Sequence, residues 1–438
     1  MAAANGTAWV LSLLLACLRM IAAVLALLLL TFAVRGEPLS LDRLASVPRD
    51  LSAVITASAE EPPDSARPGG RARLRRELQE LFAHHATLVV RLMRSTVADG
   101  PAFVDDAAVL IRNSDDLEIA LSRIVDADDA EAFARGWQAQ TQSLFGYAAA
   151  IRDDDAGAQQ EAQSELAASV DEQATLLTEA TDGRVERDVV ATALRMQIDL
   201  LRYQIDAYAR GDYEQAYELE REAYTHMYPF AANLAAAAAG HPKGAVRTRP
   251  LEELTAQLSS LIGMHVELSV DALRAGADGA DEFPAATAAL DANNRELSAT
   301  LDGLLAERPS RRLSALWADQ TDLLLRYAGA VAEDDPSVRR EVRERLRSNS
   351  ARVERILRAV ATRDGDPAAA ADALHAQQKL LLNQLNAYVI DNHQGAQDTA
   401  YSAHHRVPEL AHALAKILVR GLPRGGAQTG GGGIALAG

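Results

Sequence analysis

The sequence has very little cysteine and few aromatic residues. Cys17 is the single cysteine, and phenylalanine, tryptophan and tyrosine together make up 5% of the 438 residues. Because Cys17 lies in an apolar stretch near the N-terminus, disulfides and thiolate metal sites are excluded from the rest of the chain. Strand-forming residues do not cluster in alternating runs after residue 40. A β-sheet is therefore not expected.

The sequence also lacks the short motifs of common enzymes. It contains no phosphate-binding loop, no dinucleotide fingerprint and no nucleophile elbow. We therefore expect a protein that is not an enzyme and that carries no cofactor. The formal net charge is −17. Since an acidic surface repels phosphate backbones, nucleic acid is not an expected partner.

The abundant residues are helix formers. Alanine is abundant, and alanine, leucine, glutamate, glutamine and arginine all have high intrinsic helix propensities. The composition therefore predicts an all-α fold.

An apolar run at the N-terminus extends from Trp9 to Val34 and carries one charge, Arg19. About 20 apolar residues cross a bilayer, so the run could be an uncleaved anchor. It could equally be a signal peptide, with Ile21–Leu30 as the apolar core and 31–33 as the cleavage region. Both alternatives predict export. The body is expected outside the cytoplasm, either attached to the lipid bilayer at the cell membrane or secreted after cleavage.

The body of the chain contains an internal repeat with one constant offset, which takes His85 to His265. No insertion or deletion is needed between the two copies, and a fixed offset of this kind indicates a duplicated unit. The matched pairs are His85/His265, Phe103/Phe283, Asn113/Asn293, Trp137/Trp317, Gln140/Gln320, Tyr147/Tyr327, Gln197/Gln377, Gln204/Gln384 and Tyr208/Tyr388.

The repeat and the proline- and glycine-rich stretches predict the domain boundaries. We expect a membrane anchor or signal peptide at 1–35, a linker at 36–71 and a first helical bundle at 72–239. A second linker at 240–251 precedes a second bundle at 252–419, and a glycine-rich tail occupies 420–438. Apolar stripes with heptad spacing, separated by Asp/Gly turns, predict three hairpins in each copy. Each bundle should therefore hold about six long antiparallel helices, behind an N-terminal apolar helix.

His85 is the first candidate functional residue. It lies in the stripe Leu74, Leu78, Leu81, His85, Leu88 and Leu92, whose members are four, three, four, three and four residues apart. The equivalent positions in the next two hairpins are Gln140 and Gln197, and glutamine is a poor ligand for transition metals. The favoured interpretation is a buried polar residue that sets the register between helices. Its neighbour His84, replaced by Met264 in the second copy, is expected to carry less functional weight.

A metal site is the alternative interpretation of the histidines. It would use His85, His265, His226 and the adjacent pair His404 and His405. Against it, the sequence contains neither a pair of Glu-x-x-His motifs on matching helices nor a His-Glu-x-x-His motif. We therefore expect no metal, and an exposed polar pair at 404–405.

The recurrent motifs resemble a family of exported bacterial helical-hairpin repeat proteins of unassigned biochemical function. The matching residues are Trp137, Gln140, Leu144 and Tyr147, followed by Ile205–Tyr208, Gly211–Tyr213 and Ala216–Tyr217. The resemblance covers most of 72–419 and implies an exported helical fold more than an activity. Relatives are richer in histidine at the hairpin positions, where this chain has glutamine at 140, 197, 320 and 377.

The expected function is that of an extracytoplasmic, membrane-associated helical binding or scaffold protein without catalytic activity. Its partner would be an unknown envelope protein or a small ligand. The alternative is an envelope metal-binding protein that sequesters or senses copper, zinc or iron through the histidines of the bundles.

Overall fold

A computed structural model describes residues 70–98, 100, 102–238, 250–361 and 365–419. The predicted apolar helix at the N-terminus and the glycine-rich tail lie outside the described residues, as do almost all of the two predicted linkers. The remaining linker residues, at 70–71 and 250–251, already belong to helices. Among the described helices, none combines the length and the hydropathy that a membrane crossing requires.

The prediction of an all-α fold is confirmed. The described residues form thirteen helices and no strand. The helices are α1 Gly70–Val97, α2 Phe103–Leu121, α3 Ala127–Arg152, α4 Ala156–Ala180, α5 Arg187–Ala209, α6 Tyr213–Ala238, α7 Pro250–Asp278, α8 Phe283–Leu304, α9 Glu307–Ala332, α10 Pro336–Val360, α11 Pro367–Tyr388, α12 His393–His405 and α13 Val407–Leu418.

Aspartate and glycine residues shape the turns between helices. The Asp155 carboxylate caps α4 by accepting a hydrogen bond from the Ala158 amide, and Asp335 caps α10 in the same way. Such caps satisfy amides that have no partner within the helix. The backbone of Gly211 has φ 77°, and that of Asp391, its counterpart in the second copy, has φ 57°. The repeat thus extends to the left-handed residues at the turns, a conformation that glycine adopts without strain.

The two copies correspond helix by helix, with one break. Helices α2 and α8 begin at equivalent positions of the repeat, as do α4 and α10, and α6 and α12. Helix α6 continues through Pro229. Its counterpart is divided at Arg406 into α12 and α13, with Pro408 near the start of α13. A proline in the first turn of a helix has no amide to leave unbonded, so it favours a new start there.

Helices α1 and α7 lie at the centre of the fold. Every residue from 78 to 94 of α1 and from 262 to 270 of α7 is buried. Helix α1 contacts α2, α3, α5 and α6 of its own half and α7 of the other half. The sequence predicted that one apolar stripe of α1 is buried, and this prediction underestimated the buried surface of the helix. The helix is surrounded on all sides, so its polar residues are buried as well.

The two halves meet around a pseudo-two-fold axis, and the described residues of both belong to one compact unit. Helix α1 packs on α7, while α6 packs on α8 and α12 packs on α2. Thr87 donates a hydrogen bond to Glu267, and Arg91 donates one to Asp271. The residues of each pair are 180 positions apart in the sequence, which is the offset of the repeat. Contacts between equivalent positions are the mark of a two-fold relation.

The central ion pairs give a test of this arrangement. Arg91 is 7% exposed and pairs with both Glu267 and Asp271. Arg91→Met should lower the free energy of unfolding by about 3–5 kcal/mol, because it removes the buried cation that Glu267 and Asp271 share. Denaturant unfolding would measure the loss. The control is Arg112→Met: Arg112 pairs with Asp398 across the same interface but is half exposed, so we expect a loss below about 1 kcal/mol. Equal losses would contradict the central role of the buried pairs.

Candidate functional site

A cluster of buried polar side chains occupies the interface between the halves. Helix α1 contributes His84, α7 contributes Glu267 and α12 contributes His404, each with 1% of its surface exposed. Burying a charged or polar group in a protein interior is unfavourable unless it is paired. The pairing within this cluster is therefore what makes its burial possible.

The His404 imidazole lies between two carboxylates. Its Nδ1 is 2.8 Å from Oε1 of Glu267, and its Nε2 is 3.3 Å from Oε2 of Glu80. The His84 ring stacks on the His404 ring, with centroids 3.9 Å apart and an angle of 16° between the planes. His84 Nε2 is 3.7 Å from the same Oε1 of Glu267. One carboxylate oxygen thus faces both histidines.

Further contacts fix the two carboxylates in place. Arg91 approaches Oε2 of Glu267 at 2.7 Å, and Thr87 donates a hydrogen bond to that oxygen at 3.4 Å. Oε1 of Glu267 is the oxygen that faces the two histidines. Tyr228 donates a hydrogen bond of 2.8 Å to Oε1 of Glu80, which orients the other oxygen of Glu80 towards His404.

The surroundings of the two histidines shift their pKa values in opposite directions. Burial by itself lowers the pKa of His404, but its contacts with the carboxylates of Glu267 and Glu80 outweigh burial and raise the pKa to about 9. Burial, followed by repulsion from His404, lowers the pKa of His84 well below its usual value. At neutral pH the cluster therefore holds an imidazolium stacked on a neutral imidazole.

Two further ion pairs extend the cluster along α1. Arg91 Nε lies 2.9 Å from Asp271, and Arg94 lies 2.8 Å from Glu220. The Arg94 guanidinium also stands over the ring of Tyr217 at 4.3 Å from its centroid. The polar residues of α1 that take part in these contacts are called the polar seam here. They are Glu80, His84, Thr87, Arg91 and Arg94, spaced four, three, four and three residues apart.

Sequence reasoning missed this seam, although its signal was present. The same heptad spacing that marks the leucine stripe also marks the polar residues from Glu80 to Arg94, on another face of α1. The equivalent positions of α7 are Ser260, Met264, Glu267, Asp271 and Arg274, so polar residues also predominate on this face of α7. A polar stripe on a helix is normally a solvated face, and only the packing of α1 on α7 makes it an interior.

The histidines singled out from the sequence do not form one site. Each of His85 and His265 is buried inside its own half: His85 Nδ1 is 3.0 Å from Asn113 Oδ1, and Trp317 donates a hydrogen bond to His265. His226 Nε2 bonds the carbonyl of Ala193. His404 and His405 were both predicted to be exposed. His405 is exposed, but the prediction is wrong for His404, which is buried.

Gly263 on α7 makes room for the cluster. A Cβ atom at this position would lie 2.0 Å from the Tyr224 hydroxyl and 3.4 Å from Cε1 of His404. A contact of 2.0 Å is far shorter than a van der Waals separation, so Tyr224 could not keep its position beside any other residue at 263. Glycine is therefore required here by close packing and not by backbone conformation.

A cavity of about 860 Å³ lies beside the cluster, between the two halves. Glu80 and Tyr401 line the cavity. Glu80 contacts His404, and the Tyr401 ring lies 5.1 Å from the His84 ring. The basic residues of its wall are Arg73, Arg76, Arg112, Arg123 and Lys416, and the acidic ones are Glu77, Glu80, Asp116, Asp366 and Glu409. The cavity thus joins a charged wall to the edge of the histidine cluster.

Comparisons with known proteins do not identify this chain. No family model, no curated protein and no solved structure matches it. The resemblance described from the motifs therefore stays a prediction.

The tight contact at Gly263 gives a second prediction. Gly263→Ala should destabilise the protein by about 1–3 kcal/mol, because Tyr224 and His404 must move to admit a methyl group. The matched control is Gly146→Ala in α3, where an added Cβ meets nothing within 4 Å. Because alanine is the better helix former, the control should gain about 0.5–1 kcal/mol. Thermal unfolding of both variants would measure the difference, and a stabilised Gly263→Ala would contradict the packing described here.

His404 gives a prediction of pH dependence. Its pKa in the folded protein, about 9, lies above the value of about 6.5 expected when unfolded. The stabilisation from the protonated ring is then complete below about pH 6.5 and is lost as the pH rises through about 9. In EDTA, the unfolding free energy of the wild type should fall between pH 6.5 and 9 by on the order of 2–3 kcal/mol more than that of His404→Gln. Parallel pH profiles, measured by urea unfolding, would refute the assignment.

Proposed function

We propose that the protein is a non-catalytic binding protein of the cell envelope, and that its ligand occupies the cavity between the two halves. The apolar run from Trp9 to Val34 supports export or membrane attachment, and it lies outside the described residues. The location in the envelope is therefore proposed from the sequence, while the binding role is proposed from the cavity.

We further infer that the two halves are copies of one six-helix unit. The constant offset in the sequence and the matching helix starts support this inference. A duplicated unit offers two versions of every position within one chain. Residues that differ between copies, at positions where the fold is the same, are candidates for a role beyond folding.

The basic residues in the cavity wall are the observation that carries the proposal. None of these arginine or lysine residues has a basic counterpart in the other copy, although the helices that carry them correspond. The equivalent pairs are Arg73/Glu253, Arg76/Ala256, Arg112/Ala292, Arg123/Gly303 and Lys416/Ala236. The other copy folds without these charges. Because Arg112 and Arg123 also pair with Asp398 and Glu77, Arg76 is the residue on which the proposal chiefly relies.

The chemistry of the wall favours a small organic anion bearing a carboxylate or phosphate group. The planar guanidinium group of arginine binds both groups through two parallel hydrogen bonds. Arg112 is held above the Tyr401 ring at 4.1 Å, which limits its movement. Burial lowers the pKa of Arg76, so the cavity contains a partly desolvated guanidinium that an anion would stabilise.

The proposal is tested with succinate and inorganic phosphate as probes, using the full chain purified in detergent. We expect saturable binding of at least one probe by calorimetry, with no response to glucose. Arg76→Ala should weaken binding about tenfold or more, because it removes a charge-assisted hydrogen bond.

The control for this experiment is Arg311→Ala. Arg311 is an exposed residue of α9 that pairs with Glu307 and does not line the cavity. Its replacement should leave binding unchanged. Absence of saturable binding of both probes, or equal loss in the two variants, would contradict an anion site in the cavity.

A further inference from the structure

We propose that His84, Glu267 and His404 form a binding site for one divalent transition-metal ion. Each of the three residues offers a ligand atom, and these atoms lie within 4.8 Å of one another. Two imidazoles and one carboxylate are a ligand set that proteins use for zinc and for non-haem iron. This site is separate from the proposed anion site and does not depend on it.

The spacing of the ligand atoms suits a single ion. Oε1 of Glu267 lies 2.8 Å from Nδ1 of His404 and 3.7 Å from Nε2 of His84. Two ligands bound tetrahedrally at about 2.1 Å from one metal are roughly 3.4 Å apart. The observed distances lie on either side of that value, so small movements would bring the three atoms to one ion.

The residues around the ligands orient them as metal sites require. Arg91 and Thr87 occupy Oε2 of Glu267 and leave Oε1 to act as a single-oxygen ligand. When Nδ1 of His404 binds a metal, its Nε2 can donate to Glu80, 3.3 Å away. Tyr228 in turn holds Glu80. A carboxylate behind a ligating histidine fixes the ring and strengthens it as a ligand.

Several buried atoms of the cluster have no hydrogen-bond partner. One is Nδ1 of His84, and the others are Nε2 of His404 and Oε2 of Glu80, which face each other without the geometry of a hydrogen bond. Buried polar atoms are nearly always hydrogen-bonded, so the hydrogen bonding of the cluster is incomplete as it stands. None of the three is a proposed ligand atom, but a metal on Nδ1 of His404 would leave the proton on Nε2, where Oε2 of Glu80 can accept it. Turning the His84 ring towards the ion would break no hydrogen bond at its Nδ1.

The charges of the cluster also favour a cation. The carboxylates in contact with the two histidines are Glu80 and Glu267, and the guanidinium group in contact with Glu267 is that of Arg91. With both histidines neutral, as metal ligation requires, two negative charges face one positive charge. The negative charge that remains favours a cation at the site.

Among the described residues, such a group of potential ligands occurs once. The positions equivalent to His84, Glu267 and His404 are Met264, Thr87 and Tyr224, which together cannot hold a transition metal. The expected stoichiometry is therefore one ion per chain. Met264 and Tyr224 also show which side chains the fold accepts at these positions.

The experiment titrates the full chain, stripped with EDTA and dialysed, with Zn²⁺ in competition with a chromogenic chelator. We expect one equivalent bound at submicromolar affinity. His84→Met and His404→Tyr introduce the residues that the other copy carries, and each should weaken binding by about a hundredfold or more, since each removes a ligand. His226→Gln, which alters a histidine outside the cluster, should bind as the wild type does.

Three results would overturn the proposal. They are absence of stoichiometric binding of Zn²⁺ by the wild type, full binding by both cluster variants, and an equal loss in His226→Gln. If the variants fail to fold, X-ray absorption of the Co²⁺-loaded wild type decides, because fewer than two imidazole ligands would exclude the site. Arg76→Ala, designed for the cavity, should retain Zn²⁺ and thereby keep the two proposals distinguishable.

Discussion

The contact of Arg91 with Glu267 and Asp271 is the interaction on which the arrangement of the two halves depends. It joins equivalent positions of two central helices, so it lies close to the pseudo-two-fold axis. A buried guanidinium is stable only where carboxylates meet it in suitable geometry. The pairing of these charges therefore favours one register of α1 against α7.

The two halves carry different residues at equivalent positions near this axis, and both proposed sites depend on that difference. A perfectly repeated interface would place like residues opposite each other, and like charges repel. In this chain Arg91 is opposite Asp271, and Thr87 is opposite Glu267. The difference between the two halves therefore places opposite charges together, and it also places His84, Glu80 and His404 on one side. The proposed anion site and the proposed metal site both depend on this asymmetry.

The sequence allowed the helices and their repeat to be predicted because both depend on local spacing. Heptad stripes and aspartate turns are read along the chain, and the helix starts agree with the offset of the repeat. The candidate site was less predictable. His404 comes from α12, and its partners Glu80 and Glu267 come from α1 and α7. No short motif can record three positions that lie so far apart along the chain.

By itself, the sequence determined the all-α class, the duplicated pattern and the burial of His85 in an apolar stripe. The tertiary structure alone decided that the polar stripe from Glu80 to Arg94 is an interior. The reason is physical: a polar heptad stripe on one helix is compatible with water or with a complementary partner, and local propensity does not distinguish them. The charged residues of α1 are paired because α7 places Glu267 and Asp271 against that face. The same packing places His84 in the proposed site.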